Sequence, residues 1–196
     1  MAAPTEESVL PDESDESLMR RFASGSEDAF ERLFDRYSPR VVGFAARFLG
    51  RRAEAEDAAQ DVFLRVFRHR ERYDPDRPFK PWLFSIASRL VSNRLRDRKR
   101  RPQEPLESGG PGLLDDGASI PEDDLERERL AQTVRKAVDA LPENQRAAIL
   151  MARFEGMSYE EISAAMDLSV SSVKSLLFRA KRRLSRALAH LARDSR

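Results

Sequence analysis

Apolar positions recur at three- and four-residue intervals through most of the chain, and no stretch alternates with the period of two that a strand requires. Leu18 and Phe22 begin the series, and Phe30, Leu33, Phe34 and Tyr37 extend it. Ser38-Pro39 predicts a fresh helix start with proline at the first position. Val41, Val42, Ala45, Phe48 and Leu49 follow, and Gly50 ends the element. A third helix is predicted over 53–69, with Val62, Phe63, Val66 and Phe67 as its buried edge. The Pro-bearing stretch "RYDPDRP" at 72–78 predicts a loop. A fourth helix then runs from about Phe79 through Trp82, Leu83, Ile86, Leu90 and Val91 towards Leu95.

The periodicity lapses over 102–124, "PQEPLESGGPGLLDDGASIPEDD", which holds four Pro and four Gly. That composition predicts a flexible linker. Beyond it, Leu130, Val134, Val138 and Leu141 mark one helix. Pro142 opens another, with Ala147, Ile149, Leu150 and Phe154, and Gly156 stops it. Ser158 and Glu161 have capping-box spacing for a short helix containing Ile162 and Met166. Ser169 caps the last helix, whose apolar stripe is Val173, Leu177, Ala180, Leu184, Leu188 and Leu191. The expectation is an all-α protein of two small, separately folded helical domains joined by a flexible acidic linker. The divisions fall at 1–14 (an acidic disordered tail), 15–101, 102–124 and 125–196.

Charge changes this picture more than bulk composition does. The net charge of the 196 residues is only +1, yet residues 1–17 carry six acids and no Lys or Arg. The linker carries seven acids and no base, whereas 89–101 and 174–196 are strongly basic. Opposed blocks of this kind point to a partner that reads one face, such as nucleic acid. The absence of cysteine excludes disulfides, thiolate zinc sites and cysteine nucleophiles. No apolar run approaches the ~20 residues of a membrane span, and the acidic N-terminus lacks the order of a signal peptide. A cytoplasmic protein without membrane insertion is expected. No phosphate loop, paired metal ligands or nucleophile elbow is visible, so neither enzyme activity nor a metal or cofactor is predicted.

Two helices separated by a three- or four-residue turn, the second of them basic, form a helix-turn-helix signal. The second would lie in the major groove, presenting Ser171, Ser172, Lys174, Ser175, Phe178 and Arg179 to base edges. Arg182, Arg183 and Arg186 lie further along, where phosphates are the natural partners. A solvated amphipathic helix is the competing reading, but the capping, the turn length and the scarcity of acids over 168–193 favour DNA. In 77–101, aromatics interleave with bases. Tyr73, Phe79 and Lys80 at the loop-to-helix junction are either core residues or a platform for unpaired bases. The acids of "AEAEDAAQDVFLRVF" either complement a helix N-terminus or form a protein-docking face from Asp57, Gln60, Asp61 and Phe63.

The segments "AEDAAQDVFLRVF", "FKPWLFSIASRL" and "LPENQRAAILMARFEGMSYEEISAAMDLSVSSVKSLLFRAKRRL" together resemble the bacterial extracytoplasmic-function sigma factors. The resemblance spans roughly 15–101 and 125–190. It implies that the first domain is similar to sigma region 2 and the second to region 4. Core RNA polymerase, promoter DNA as duplex and as melted strand, and an anti-sigma factor are the implied partners. By motif, Asp57, Gln60 and Asp61 fall where the family contacts the polymerase clamp. Tyr73 to Lys80, with Arg89 and Asn93, fall on the minus-ten surface, and Lys174, Ser175, Phe178 and Arg179 on the minus-thirty-five helix. The family often has Arg-Asn after the "IA" of the fourth helix, near the pocket for a flipped base; this chain has Ser88-Arg89. An autonomous helix-turn-helix regulator is the alternative.

Overall fold

The computed structural model of the chain describes residues 13–100 and 122–189. Among these residues the fold is entirely helical: α1 (Asp15–Ala23), α2 (Glu27–Leu49), α3 (Arg52–Arg68), a 3-10 turn (Arg70–Arg72), α4 (Phe79–Arg100), α5 (Glu122–Asp139), α6 (Glu143–Phe154), α7 (Tyr159–Met166) and α8 (Val170–Ala187). The linker expected over 102–124 lies outside the described residues except for its last three, which belong to α5.

Local chemistry sets most of the boundaries. Ser14 and Ser26 accept hydrogen bonds from Ser17 N and Ala29 N, which caps α1 and α2. Gly50 ends α2 at φ 78°, a left-handed conformation that glycine adopts without a Cβ penalty. Two expectations need correction. Glu13 and Ser14, assigned to the tail, are structural: Ser14 is the cap, and Glu13 takes Ser17 Oγ, Arg21 Nη1 and Arg32 Nη1 at 2.6, 2.8 and 2.9 Å. The predicted restart at Ser38-Pro39 does not occur, because α2 runs straight through Pro39. Proline removes one N–H from the ladder, but Pro39 and Asp35, four residues earlier, both lie on the exposed face where solvent reaches the freed carbonyl. Packing against α1 and α3 holds the helix together.

The N-terminal unit buries Leu18, Leu33, Phe44, Val62, Leu83 and Phe84 between α1, α2, α3 and α4. The C-terminal unit buries Leu150, Met151, Ile162, Val173 and Leu177 between α6, α7 and α8. The two units are not held apart. α7 packs on α4, the end of α6 meets α2, and one continuous apolar cluster runs through both.

Candidate nucleic-acid interface

The helix-turn-helix is built from short-range signals. Ser158 Oγ accepts Glu161 N at 3.1 Å while Ser158 N donates to Glu161 Oε2 at 2.7 Å, closing the capping box of α7. Asp167 then takes φ 54°, in the left-handed region that aspartate tolerates better than most side chains. Leu168 N donates to Ser163 O at 3.1 Å and Ser163 Oγ to Leu168 O, fixing the turn. Ser169 caps α8 by accepting Ser172 N at 3.2 Å.

α8 seats Val173, Leu177 and Ala180 in the core, which turns Ser171, Lys174, Ser175, Phe178 and Arg179 outward, with Ser172 half-buried beside them. Phe178 is 61% exposed. Leaving that much aromatic surface in water is unfavourable unless something covers it. The Arg182 guanidinium lies 5.7 Å from its ring centre, and Arg179 Nε donates to Ser175 O at 3.2 Å. Arg183 and Arg186 are exposed further along. Asn144, from the first turn of α6, joins Ser171, Ser175 and Arg179 around a shallow groove. Asn144 carries no signal in the sequence, because only the fold brings it beside α8.

The N-terminal candidates divide. Arg89 and Asn93 are exposed on α4, and Asn93 Oδ1 accepts Arg96 Nη2. Phe79, by contrast, is 0% exposed and Tyr73 is also buried. Their rings pack at 6.1 Å from each other, at 5.1 and 5.9 Å from Trp82, and Phe79 at 5.3 Å from Tyr37. The Tyr73 hydroxyl donates to Arg77 O, and burial, with Glu16 and Asp15 nearby, pushes its pKa up. As base-stacking platforms Tyr73 and Phe79 are therefore corrected: they are interior residues that fix the loop and the start of α4. Lys80 is spoken for as well, its ammonium donating to Glu155 O of the other unit.

On α3, Asp57 and Gln60 are exposed. Asp61 pairs with Arg94 of α4, whose guanidinium also reaches Glu54 O at 3.1 Å and Asp57 O at 3.4 Å. Phe63, expected on the docking face, is only 3% exposed and sits edge-on to Phe34 at 4.8 Å. The apolar surface beside Gln60 comes instead from Leu64 at 53% exposure and Phe67 at 43%, the latter placed by periodicity on the buried edge.

A basic, exposed second helix on a capped helix-turn-helix, joined to a helical unit with cationic and apolar faces, defines a two-unit DNA-binding protein. Comparison with known proteins narrows the class. Sigma-70 region 2 matches residues 33–101, and Sigma-70 region 4 matches 131–184. The chain is 33% identical over 194 residues to the RNA polymerase sigma-H factor of Pseudomonas aeruginosa, covering 95% of this chain and 100% of that one. It is 33% identical over 189 residues to the ECF RNA polymerase sigma-E factor of Escherichia coli K12, covering 92% and 97% respectively. Among solved structures, CnrH in complex with the cytosolic domain of CnrY superposes with a TM-score of 0.69 at 28% identity, over 91% of this chain and 99% of that one. The chain belongs to the extracytoplasmic-function sigma factors of RNA polymerase.

Proposed function

We propose that this sigma factor binds core RNA polymerase and directs it to one class of promoter, with a division of labour between named residues. The exposed, acid-free outer face of α8 carries the reading. Ser171, Ser172, Lys174, Ser175, Phe178 and Arg179 read the minus-thirty-five duplex, while Arg182, Arg183 and Arg186 grip its phosphates. Arg89 and Asn93 meet the melted minus-ten strand, and Arg89 sets the preferred base there. Lys80 adds charge once it is free. Asp57, Gln60 and Asp61, with Leu64 and Phe67 in the place given to Phe63, dock on polymerase. The factor does no chemistry of its own; binding that favours melted over paired DNA shifts the equilibrium towards the open complex. It acts where polymerase and chromosome meet, in the cytoplasm. Among the described residues no helix is long and apolar enough to cross a membrane. An anti-sigma factor is a further partner, since the sigma factor RpoE of Bartonella quintana, similar in fold, is in complex with the anti-sigma factor NepR.

Promoter variants titrated with holoenzyme at several salt concentrations test the assignment. Lys174→Ala or Arg179→Ala loses about 1–3 kcal/mol on the preferred sequence and flattens discrimination at one or two positions. Arg183→Ala or Arg186→Ala weakens every sequence alike and lowers the salt slope by about one per lost phosphate contact. One uniform loss from all four substitutions makes α8 an electrostatic anchor and not a reader.

A further inference from the structure

We propose that Glu155 is the latch of a closed form in which the two units hold each other and Lys80 is withheld from DNA. The proposal rests on the promoter reading of α4 and α8 given above. Glu155 caps the C-terminal end of α6, where the last carbonyls of a helix lack intrahelical partners and favour cations. Its side chain is 4% exposed. The carboxylate accepts Arg40 Nε of α2 at 2.9 Å, and its backbone carbonyl accepts both Arg40 Nη2 at 3.3 Å and Lys80 Nζ of α4. One residue of the C-terminal unit thus ties two helices of the other. Beside it, the Arg47 guanidinium lies 4.0 Å from the centre of the Phe154 ring.

Apolar packing of α7 on α4 closes much of the seam, but its other polar contact is incompletely satisfied. Arg146 is buried, donates to Phe48 O across the seam at 3.3 Å and pairs with Asp139 of its own unit at 3.2 Å, but its Nε has no acceptor. Burial pushes the Arg146 pKa down. Each orphaned buried polar atom weakens the closed form relative to one in which water reaches it. The Arg40–Glu155 pair is therefore the main polar hold. Removing Arg40 leaves the buried Glu155 carboxylate without compensation, the costly way to break the pair, whereas removing Glu155 leaves Arg40, 36% exposed, in reach of water.

Opening is required by length. Elements near minus-thirty-five and minus-ten lie about 25 base pairs apart, roughly 85 Å along a duplex at about 3.4 Å per pair. A compact chain of this size has a radius of gyration of about 16 Å. The chain between Arg100 and Glu122 reaches about 75 Å when extended, enough to let the units separate without unfolding. Closed molecules cannot span a promoter, so the apparent affinity for polymerase on its promoter is reduced by the fraction that is open.

The chain has no cysteine, so a pair of spin labels placed at Glu31→Cys on α2 and Ser185→Cys on α8, both exposed, reads the distance between units cleanly. The parent gives a single short distance by double electron–electron resonance. Glu155→Ala raises the open fraction about two- to fivefold. The apparent Kd for polymerase on promoter DNA falls by the same factor. Arg40→Glu opens the pair in the same way, and Arg40→Glu with Glu155→Arg restores the short distance. Circular dichroism and Trp82 fluorescence confirm that each variant is folded. An unchanged distance in folded Glu155→Ala overturns the latch, as does opening without a matching gain in affinity when the parent engages polymerase. The parent's own binding to core enzyme is read separately, so failure of the promoter reading is not mistaken for failure of the latch.

Discussion

Removing the Glu16 carboxylate tests whether α1 positions α4, the helix proposed to meet melted DNA. α4 begins after Pro78 with no acid in its own first turn, and Phe79 N donates instead to Glu16 Oε1 of α1 at 3.1 Å, across 63 residues of sequence. Pro81 contributes no donor, so the bond to Phe79 answers a large share of the unmet N–H groups at this end. Loss of a capping acceptor costs about 0.5–2 kcal/mol. Loss of negative charge at a helix N-terminus costs about 0.3–1 kcal/mol more. Together they give about 1.5 kcal/mol for Glu16→Ala. A unit of this size loses about 6–12 °C in Tm, or roughly half that if both units melt together. Trp82 is the sole tryptophan and packs on Tyr73 and Phe79 at 5.1 and 5.9 Å, so its fluorescence follows this end of α4 in the intact chain. Glu16→Gln keeps an acceptor and loses the charge, so it recovers more than half of the shift. A change below about 1 °C in Glu16→Ala refutes the reasoning.

Gln60→Ala with Asp61→Ala weakens binding to core polymerase, measured by fluorescence anisotropy. Its stability cost stays under about 1 kcal/mol, because the Asp61–Arg94 pair is partly exposed; unchanged affinity removes these residues from the docking face. Acid loosens α1: the hydrogen bond from Ser17, with Arg21 and Arg32 beside it, holds the Glu13 pKa below its ordinary 4.5. Its contribution to stability is therefore full above that value and is lost as pH falls through the lower, folded one. Glu13→Gln removes that part of the pH dependence below 4.5 in thermal melts; an identical profile rules Glu13 out. Leu177→Ala empties a buried position in α8 and costs about 2–5 kcal/mol, read in urea melts.

The helix-turn-helix was legible because its signals are local. Ser158 with Glu161, and Ser169 before a basic amphipathic stretch, announce themselves within four residues, and the observed caps follow them. The same locality misled at Pro39, where a start signal was overridden by packing on both sides. Tyr73, Phe79 and Phe63 were ambiguous for a related reason. An aromatic beside bases reads equally as platform or core, and the decision rests with Tyr37, Trp82 and Phe34. Glu155 carried no signal at all, since Arg40 and Lys80 lie 115 and 75 residues away. Sequence reveals what a helix is and which face it buries; long-range polar partners need the fold.

As a sigma factor, this chain gives core RNA polymerase its choice of promoter. The most direct measurement is transcription in vitro from genomic fragments, with core enzyme alone and with the protein added, followed by sequencing of transcript starts. New starts are expected that share one motif near minus-ten and one near minus-thirty-five, absent with core alone and lost with Gln60→Ala and Asp61→Ala. Promoter selection by this chain is contradicted if no new starts arise while the protein binds duplex DNA equally well without polymerase, which is the behaviour of an autonomous regulator.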